Sequence, residues 1–362
     1  MVYRVIGLMS GSSLDGLDIV FAEFEVNGQK WTYNVIFSEC YAYSNEWVEK
    51  LKTATTLSAL DYMQLHADYG HYLGKEVNRF ITDNKLEYQV QMITSHGHTT
   101  FHSPSSKMTH QLGDAAAIAA ETGINVVSDL RAMDVALGGQ GAPIVPIGEK
   151  LIFHGFDYFL NLGGIANISG NTTPYVAFDI CPANRVLNML SQKLNKVYDD
   201  GGTLAKSGEV KNDLLQQLNS LDYYKLPYPK SLANDFGTNV IFPITLNSRY
   251  TIEDCLCTYA EHIAVQVSKA IEQINFTTKD SKKKLLVTGG GAFNTYLIQR
   301  IQHYLPHIEI IVPEENLVKN KEAIIMAFIG LLRWREENNV LSSVTGSVRD
   351  SIGGAVWIGQ EW

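Results

Sequence analysis

The chain spells the same opening twice. Residues 3–9, 17–26 and 31–40 read YRVIGLM, LDIVFAEFEV and WTYNVIFSEC, three β-rich runs set off by turn residues, with amphipathic helical spacing after them. Residues 157–163, 165–170 and 175–180 read DYFLNLG, IANISG and YVAFDI, again three strands with tight glycine turns. PANRVLNMLSQKL follows as a helix, with Pro182 suited to its first turn. Elsewhere strands and helices alternate. SALDYMQLHADYGHYLGKEVNRFITDN, DAAAIAAETG (N-cap Asp114, stop Gly123), TIEDCLCTYAEHIAVQVSKAIEQI, FNTYLIQRIQHYL and KEAIIMAFIGLLRWREE read as helices. VQMITSHG, NVVSDLR, KKLLVTGGG and IEIIV read as strands. Such alternation specifies an α/β fold. No residue-level repeat accompanies the shared opening, so the duplication is architectural.

At 362 residues the chain has ample core for two domains or one large one. GGQGAP at 138–143 reads as a flexible crossing between the halves, and 196–250, weakly periodic and rich in turn residues, as an insertion of loops and short helices. A net charge of −9 gives no general pull on nucleic acid or anionic lipid. The basic run KDSKKK from Lys279 precedes a strand and reads as a solvated loop. Cys40, Cys181, Cys255 and Cys257 are too few and scattered for a disulfide framework, and Cys255-Leu-Cys257 with His262 lacks the second ligand pair of a zinc site. Arg4 and Ser10 interrupt any signal-peptide core, and no run reaches the length of a membrane span. A reducing cytoplasm is the expected compartment.

Phosphate binding needs close-approaching backbone N–H groups, which glycine after a strand provides. Three places qualify: Gly11-Ser12-Ser13, Asn161-Leu162-Gly163-Gly164 and Gly289-Gly290-Gly291. None is a Walker A loop or a dinucleotide fingerprint. Asp15 and Asp18 flank Gly16 just behind the first loop, where a carboxylate repels phosphate unless a cation such as Mg²⁺ lies between them. The competing reading is a hairpin turn carrying Asp-Gly.

Three further features carry chemistry. Asp179 ends the strand YVAFD, where α/β enzymes place a base; the alternative is an N-cap for the helix at Pro182. SHGHTTFH, residues 95–102, packs three histidines and three hydroxyl residues after a strand, and reads as contacts to a hydroxylated ligand or as a polar loop. Arg131 is a charge inside an apolar passage, placed either to clamp a carboxylate or to pair internally with Asp129 or Asp134.

Together the motifs GLMSGSSLDGLD, SHGHTTFH, QLGDAAAIAAETGINVVSDLRAMDVALGGQGAPIVP, FLNLGGIANIS, FDICPAN and VTGGGAFN resemble the anhydro-N-acetylmuramic acid kinase family, in order and spacing, from Gly7 to about Glu322. The block Gln111 to Pro146 is the most specific. The resemblance implies a two-domain actin-like ATPase (ribonuclease H-like) fold, each lobe a mixed sheet flanked by helices, with ATP between the lobes. It places the N-terminal lobe at 1–130, with a tail from about 340 to 362 returning to it, and the C-terminal lobe at 131–339.

The implied reaction opens 1,6-anhydro-N-acetylmuramic acid with water and phosphorylates O6 from ATP, in cell-wall recycling. By resemblance Asp179 is the base. The phosphate-facing set is Gly11, Ser12, Ser13, Leu14, Asp15, Gly16, Leu17, Asp18, Asn161, Gly163 and Gly164, with Gly289, Gly290 and Gly291 by the adenosine. Asp15 and Asp18 are the Mg²⁺ candidates. Gly97, His98, Thr99, Asn184 and Glu322 (at a helix start) face the sugar, and Arg131 meets its lactyl carboxylate. The resemblance also implies a homodimer, with no nucleic-acid or membrane partner. Alternatives are a kinase for another sugar or small acid, or a non-catalytic nucleotide-binding member. The family commonly reads FDTGPGN where this chain has FDICPAN. Ile180, Cys181 and Ala183 therefore stiffen the turn and add bulk beside the base, with a narrower sugar pocket or an altered substrate as the expectation.

Overall fold

A computed structural model describes residues 1–11, 13–233, 235–246, 249–274 and 282–360. Ser12 and the first part of the KDSKKK loop lie outside the described residues; Lys283 and Lys284 already belong to a strand. The chain forms two compact units, Met1–His154 with Asn320–Trp362, and Gly155–Lys319.

The first unit holds β1 (Val2–Ser10), β2 (Gly16–Asn27), β3 (Lys30–Ala42), β4 (Met92–Ser95), β5 (His98–Ser103), β6 (Met108–Leu112), β7 (Val126–Ser128) and, from the far end of the chain, β13 (Ala355–Trp357). Its main sheet runs β13-β7-β4-β1-β2-β3, with β1/β4 and β4/β7 parallel and β1/β2, β2/β3 and β7/β13 antiparallel. The second unit holds β8 (Tyr158–Leu162), β9 (Ile165–Gly170), β10 (Val176–Pro182), β11 (Lys283–Thr288) and β12 (Ile308–Ile311), in the order β10-β9-β8-β11-β12. Here β8/β11 and β11/β12 are parallel while β8/β9 and β9/β10 are antiparallel. With the β5–β6 hairpin and the added edge strand β13 set aside, both main sheets follow the order 3-2-1-4-5 with the second strand reversed. That is the ribonuclease H-like order of the actin-like α/β fold, and it is the architectural duplication the two openings announce.

Local sequence explains the flanking helices. Ser58 caps the helix Ala59–Asp83 by accepting the Asp61 N–H, and Leu65, Tyr69, Leu73, Val77 and Phe80 form its buried stripe at three- and four-residue spacing. Each such side chain contributes roughly 1.5–3 kcal/mol on burial. Asp114 and Gly123 bound the helix Ala115–Thr122 as its spacing predicts. The helix Ile252–Gln273 reads as amphipathic but is buried on nearly every side, in the core of the second unit.

Four local expectations shift. SHGHTTFH is not a loop: its last five residues start a two-stranded hairpin, β5 with β6. Pro182 ends β10, and the helix it was expected to open spans Asn184–Gln192. The final long helix begins at Glu315, so Glu322 lies within it, not at its start. GGQGAP stays inside the first unit, because Gly141 N–H donates to the buried Asp134 and Gln140 N–H donates to the Thr345 carbonyl. The same ties carry the first unit on to His154, whose ring meets the Trp31 carbonyl, where the expected division was at 130.

Candidate active site

In each unit two turns leave the carboxyl ends of adjacent parallel strands, the place where open α/β sheets bind ligands. In the first unit these are the turn from β1 to β2 and the turn after β4; in the second, the turn from β8 to β9 and the turn after β11. The candidate residues fall on these four turns and beside them. Ser95 and Thr288 occupy equivalent positions at the ends of β4 and β11, and both are buried with hydroxyls that lack a hydrogen-bond partner among the described residues.

The first turn covers Gly11–Asp15. Ser13 Oγ donates to Asp15 Oδ1 at 2.6 Å, and Leu14 adopts φ +58°. A Cβ added at Gly11 would meet only Ser13, at 3.4 Å or beyond, so one face of this backbone is open to an incoming group. Gly16, Leu17 and Asp18 already belong to β2. A Cβ at Gly16 would strike Tyr41 O at 2.7 Å and Cys40 Sγ at 2.8 Å, and Leu17 is a core side chain, so these two serve packing. Asp18 sits between Met9 and Cys40 in the sheet. Burial pushes its carboxyl up, a Cys40 hydrogen bond pulls it down, and the charges of Asp15 and Glu322 raise it again. Glu322 reaches this neighbourhood because its helix lies directly on β1: a Cβ at Gly7 would sit 2.2 Å from Ala323 O.

The turn after β4 is built on histidine chemistry. His96 Nδ1 meets the Gly97 carbonyl at 2.9 Å; a carbonyl only accepts, so Nδ1 carries the proton. Nε2 is then free to accept from Arg131 Nε at 2.9 Å. Burial, and after it the Arg131 charge, hold His96 down at about 3, so it stays neutral. Gly97 has φ +70°, and a Cβ there would strike Leu112 O at 2.5 Å, so only glycine makes this turn. His98 is buried and meets Ser10 Oγ, which itself accepts from Tyr43. Thr99 is exposed beside it.

Arg131 is half-buried. Its Nη1 donates to Gly141 O at 2.6 Å, and among the described residues it forms no ion pair with Asp129 or Asp134. Asp134 is instead spent on Gly141 N–H and the Thr345 hydroxyl. Burial lowers the guanidinium to about 10, opposed by the Glu322 charge. With Nε and Nη1 engaged, Nη2 is the terminus left for a carboxylate.

In the second unit Gly163 and Gly164 form the β8–β9 turn. A Cβ on either would touch nothing closer than 3.4 Å, so this turn also has an open face. Gly289, by contrast, has φ +80° and would clash with Asn161 Oδ1 at 2.4 Å, and Gly291 would clash with Leu162 Cβ at 2.7 Å. Those two let the third turn pack on β8, while Gly290 is open. Asn184 holds the β8–β9 turn to the helix that follows β10: its N–H donates to Gly163 O and its Nδ2 to Leu162 O.

Asp179 lies on β10 at a bulge, opposite Asn167. Its Oδ2 accepts from Leu232 N–H at 2.9 Å, while its Oδ1 has no hydrogen bond among the described residues. Burial raises this carboxyl and the Leu232 bond opposes the rise. It caps no helix: the N-cap position of Asn184–Gln192 is Ala183, without a side-chain bond. The neighbouring substitutions point elsewhere. Ile180, Cys181 and Ala183 are all buried in the second unit's core, so their added bulk fills that core. Burial pushes the Cys181 thiol far up, which removes it as a nucleophile.

The model of the anhydro-N-acetylmuramic acid kinase family matches residues 3–359. The chain belongs to the anhydro-N-acetylmuramic acid kinase family. Among curated relatives, the anhydro-N-acetylmuramic acid kinase of Aliivibrio fischeri is 34% identical over 92% of this chain and 92% of its own length. That of Sulfurovum sp. is 32% identical over 98% and 99%. Among solved structures, the activator of 2-hydroxyisocaproyl-CoA dehydratase from Clostridium difficile with bound ADPNP covers 92% of this chain and 97% of its own, at 15% identity and a TM-score of 0.42, a loose likeness. Within this anhydro-N-acetylmuramic acid kinase chain, residues that sequence reasoning passed over are Ser10, Tyr43, Tyr223 and Leu232. Ser10 adjoins a glycine turn and was findable. Leu232 acts through its backbone, which leaves no mark in a sequence.

Proposed function

We propose that this chain is an ATP-dependent kinase that opens the 1,6-anhydro ring of anhydro-N-acetylmuramic acid with water and phosphorylates O6, giving N-acetylmuramic acid 6-phosphate in cell-wall recycling. One observation carries the reading: the family match runs from residue 3 to residue 359, through every segment that holds a candidate side chain.

The chemistry balances on these residues. Water attacks C1 as its proton passes to Asp179; the C1–O6 bond breaks; O6 forms its bond to the γ-phosphorus of ATP; and ADP leaves. A carboxylate raised by burial and free at Oδ1 is suited to accept that proton. Attack opposite the departing O6 is inverting-glycosidase chemistry, with phosphorus in place of a carboxylic acid at the leaving oxygen. Arg131, charged and without an ion-pair partner among the described residues, takes the lactyl carboxylate. The open backbones of Gly11, Gly163, Gly164 and Gly290 take phosphate oxygens and the nucleotide.

Asp15 and Asp18 fit a magnesium ion held jointly with phosphate. No group of three or more metal-ligating side chains occurs among the described residues, and magnesium at phosphates needs only one or two carboxylates. The charges of Asp15 and Glu322 beside the Asp18 carboxyl are the condition a cation relieves. The ion, when bound, neutralises charge on the transferred phosphoryl group. On the family resemblance the enzyme is a homodimer, and its few scattered cysteines suit a reducing cytoplasm; no helix among the described residues is long and apolar enough to cross a membrane.

Turnover in H₂¹⁸O with ATP and the anhydrosugar tests the reaction. The label is expected at the C1 hydroxyl of a 6-phosphorylated product. Phosphorylation of a free hexosamine alone, with the anhydrosugar untouched, would remove the hydrolytic half.

A further inference from the structure

β10 is an edge strand of the second unit's sheet, so one row of its backbone groups has no neighbouring strand. The segment Tyr228–Leu232, from the loop-rich insertion, lies along that edge. Asp179 N–H donates to Lys230 O at 3.1 Å, and Leu232 N–H donates to Asp179 Oδ2 at 2.9 Å. The strap is pinned from outside: Tyr228 stacks on Phe178 at 5.2 Å with 6° between the rings, and Lys230 Nζ lies 4.9 Å from the centre of the Tyr223 ring. Tyr223 completes the grip by donating its hydroxyl to the Asp179 carbonyl at 2.7 Å.

We propose that this strap positions the base: the Leu232 main-chain N–H ties down Oδ2 of Asp179 and leaves Oδ1 as the atom that takes the proton from water. The inference rests on the reading of Asp179 as the base and goes beyond it by assigning the reacting oxygen and the group that selects it. A carboxylate with both oxygens free turns about its Cβ–Cγ bond and offers either one in a spread of orientations; one oxygen fixed at hydrogen-bond distance presents the other in a single orientation. The side chain of residue 232 has no part in this, because the donor is backbone. Tyr223, Lys230 and Cys181 are the titratable groups that face Asp179 from the elements around it. Burial raises Tyr223 and Cys181, which remain neutral through the acid range; Asp18 and His98 titrate alike in every Leu232 form, so a difference in the acid limb between those forms reports the Asp179 carboxylate.

The test compares Leu232→Pro, which deletes the N–H, with Leu232→Ala, which keeps it. A third form carries the α-hydroxy analogue of leucine at 232, which replaces the N–H by an ester oxygen with the side chain intact. Initial rates with ATP and the anhydrosugar are measured from pH 4.5 to 8. Leu232→Ala is expected within about 3-fold of the parent. The two N–H deletions are expected to lower kcat about 10- to 100-fold with the sugar KM within about 3-fold, and to move the acid limb of kcat upward, since the bond they remove favours the ionised carboxylate. If Leu232→Pro does not fold, the ester form decides alone. A folded N–H deletion with unchanged kcat and unchanged acid limb overturns the inference. Asp179→Asn measured alongside separates the two levels: turnover surviving there sinks the base itself, whereas turnover lost there but intact without the N–H sinks only the strap.

Discussion

Ser10 Oγ lies 3.0 Å from His98 Nδ1, joining the residue before the first glycine turn to the residue after Gly97. The bond belongs to a buried chain, since Tyr43 donates to Ser10 Oγ at 2.8 Å and meets the Tyr69 hydroxyl at 2.6 Å. With Ser10 accepting from Tyr43, its own proton is the one available for His98 Nδ1, and His98 then carries its proton on Nε2. Burial lowers the His98 pKa and keeps the ring neutral. The two turns that the proposed function gives to phosphate and to sugar therefore share one hydroxyl.

Ser10→Ala leaves a buried ring nitrogen without its partner, a loss of about 1–3 kcal/mol. The sugar KM should rise about 5- to 150-fold, and Tyr43→Phe, which removes only the outer donor, should show a smaller rise in the same direction. Steady-state kinetics with each substrate varied in turn checks this; unchanged sugar KM in both variants would detach the chain from substrate binding.

Arg131 is held by two neutral groups, His96 Nε2 and Gly141 O, and by no carboxylate among the described residues. A hydrogen bond to a charged partner contributes about 1.5–3 kcal/mol. Arg131→Ala should weaken binding of the lactyl-bearing sugar about 10- to 150-fold, and that of the analogue lacking the lactyl group far less. Calorimetric titration of both ligands decides it, and equal losses would make the arginine structural.

The architecture was legible in the sequence because hydrophobic periodicity reports burial: both strand triplets, the Asp114 cap and the Gly123 stop stand where the spacing puts them. The hairpin from His98 was not legible, since its strands, HTTFHS and MTHQL, are mostly polar and have few apolar residues to mark a face. Glu322 was misplaced within its helix because the first turns, Glu315 to Asn320, have only Leu317 and Val318 as apolar residues, side by side and too few to mark a period. The candidate residues themselves were found as motifs. Their supports were not: Leu232 lies 53 positions from Asp179 and acts through an N–H that every residue except proline owns.

The departures at the FDICPAN motif make a stability prediction. Cys181 is fully buried among core side chains, with Ile180 beside it and the Pro182 carbonyl held by Tyr259. Cys181→Gly deletes a packed side chain and loosens the backbone, at a cost of about 1–3 kcal/mol. Chemical denaturation should show that loss while the sugar KM stays within about 3-fold. A large change in KM without loss of stability would return Cys181 to the sugar pocket.

Asp179→Asn separates catalysis from stability. The amide keeps the shape of the carboxylate and an oxygen for the Leu232 bond, so the sugar and ATP are still bound; it takes no proton from water, so turnover should fall by several orders of magnitude. Stability should move the other way. The carboxyl is raised by burial in the folded chain, so the native state binds more protons than the unfolded chain between the ordinary aspartate pKa of about 4 and the raised value. Stability from this group therefore falls as pH rises through that window, and the ionised carboxylate is a burden above it. The Asn variant escapes that burden. Its Tm should exceed the parent's at pH 7, and the gap should close below about pH 4, where both chains are neutral at this position. Thermal melts across that range check the sign, and a variant that is less stable at neutral pH would show that the buried carboxylate is a structural ion, not a strained base.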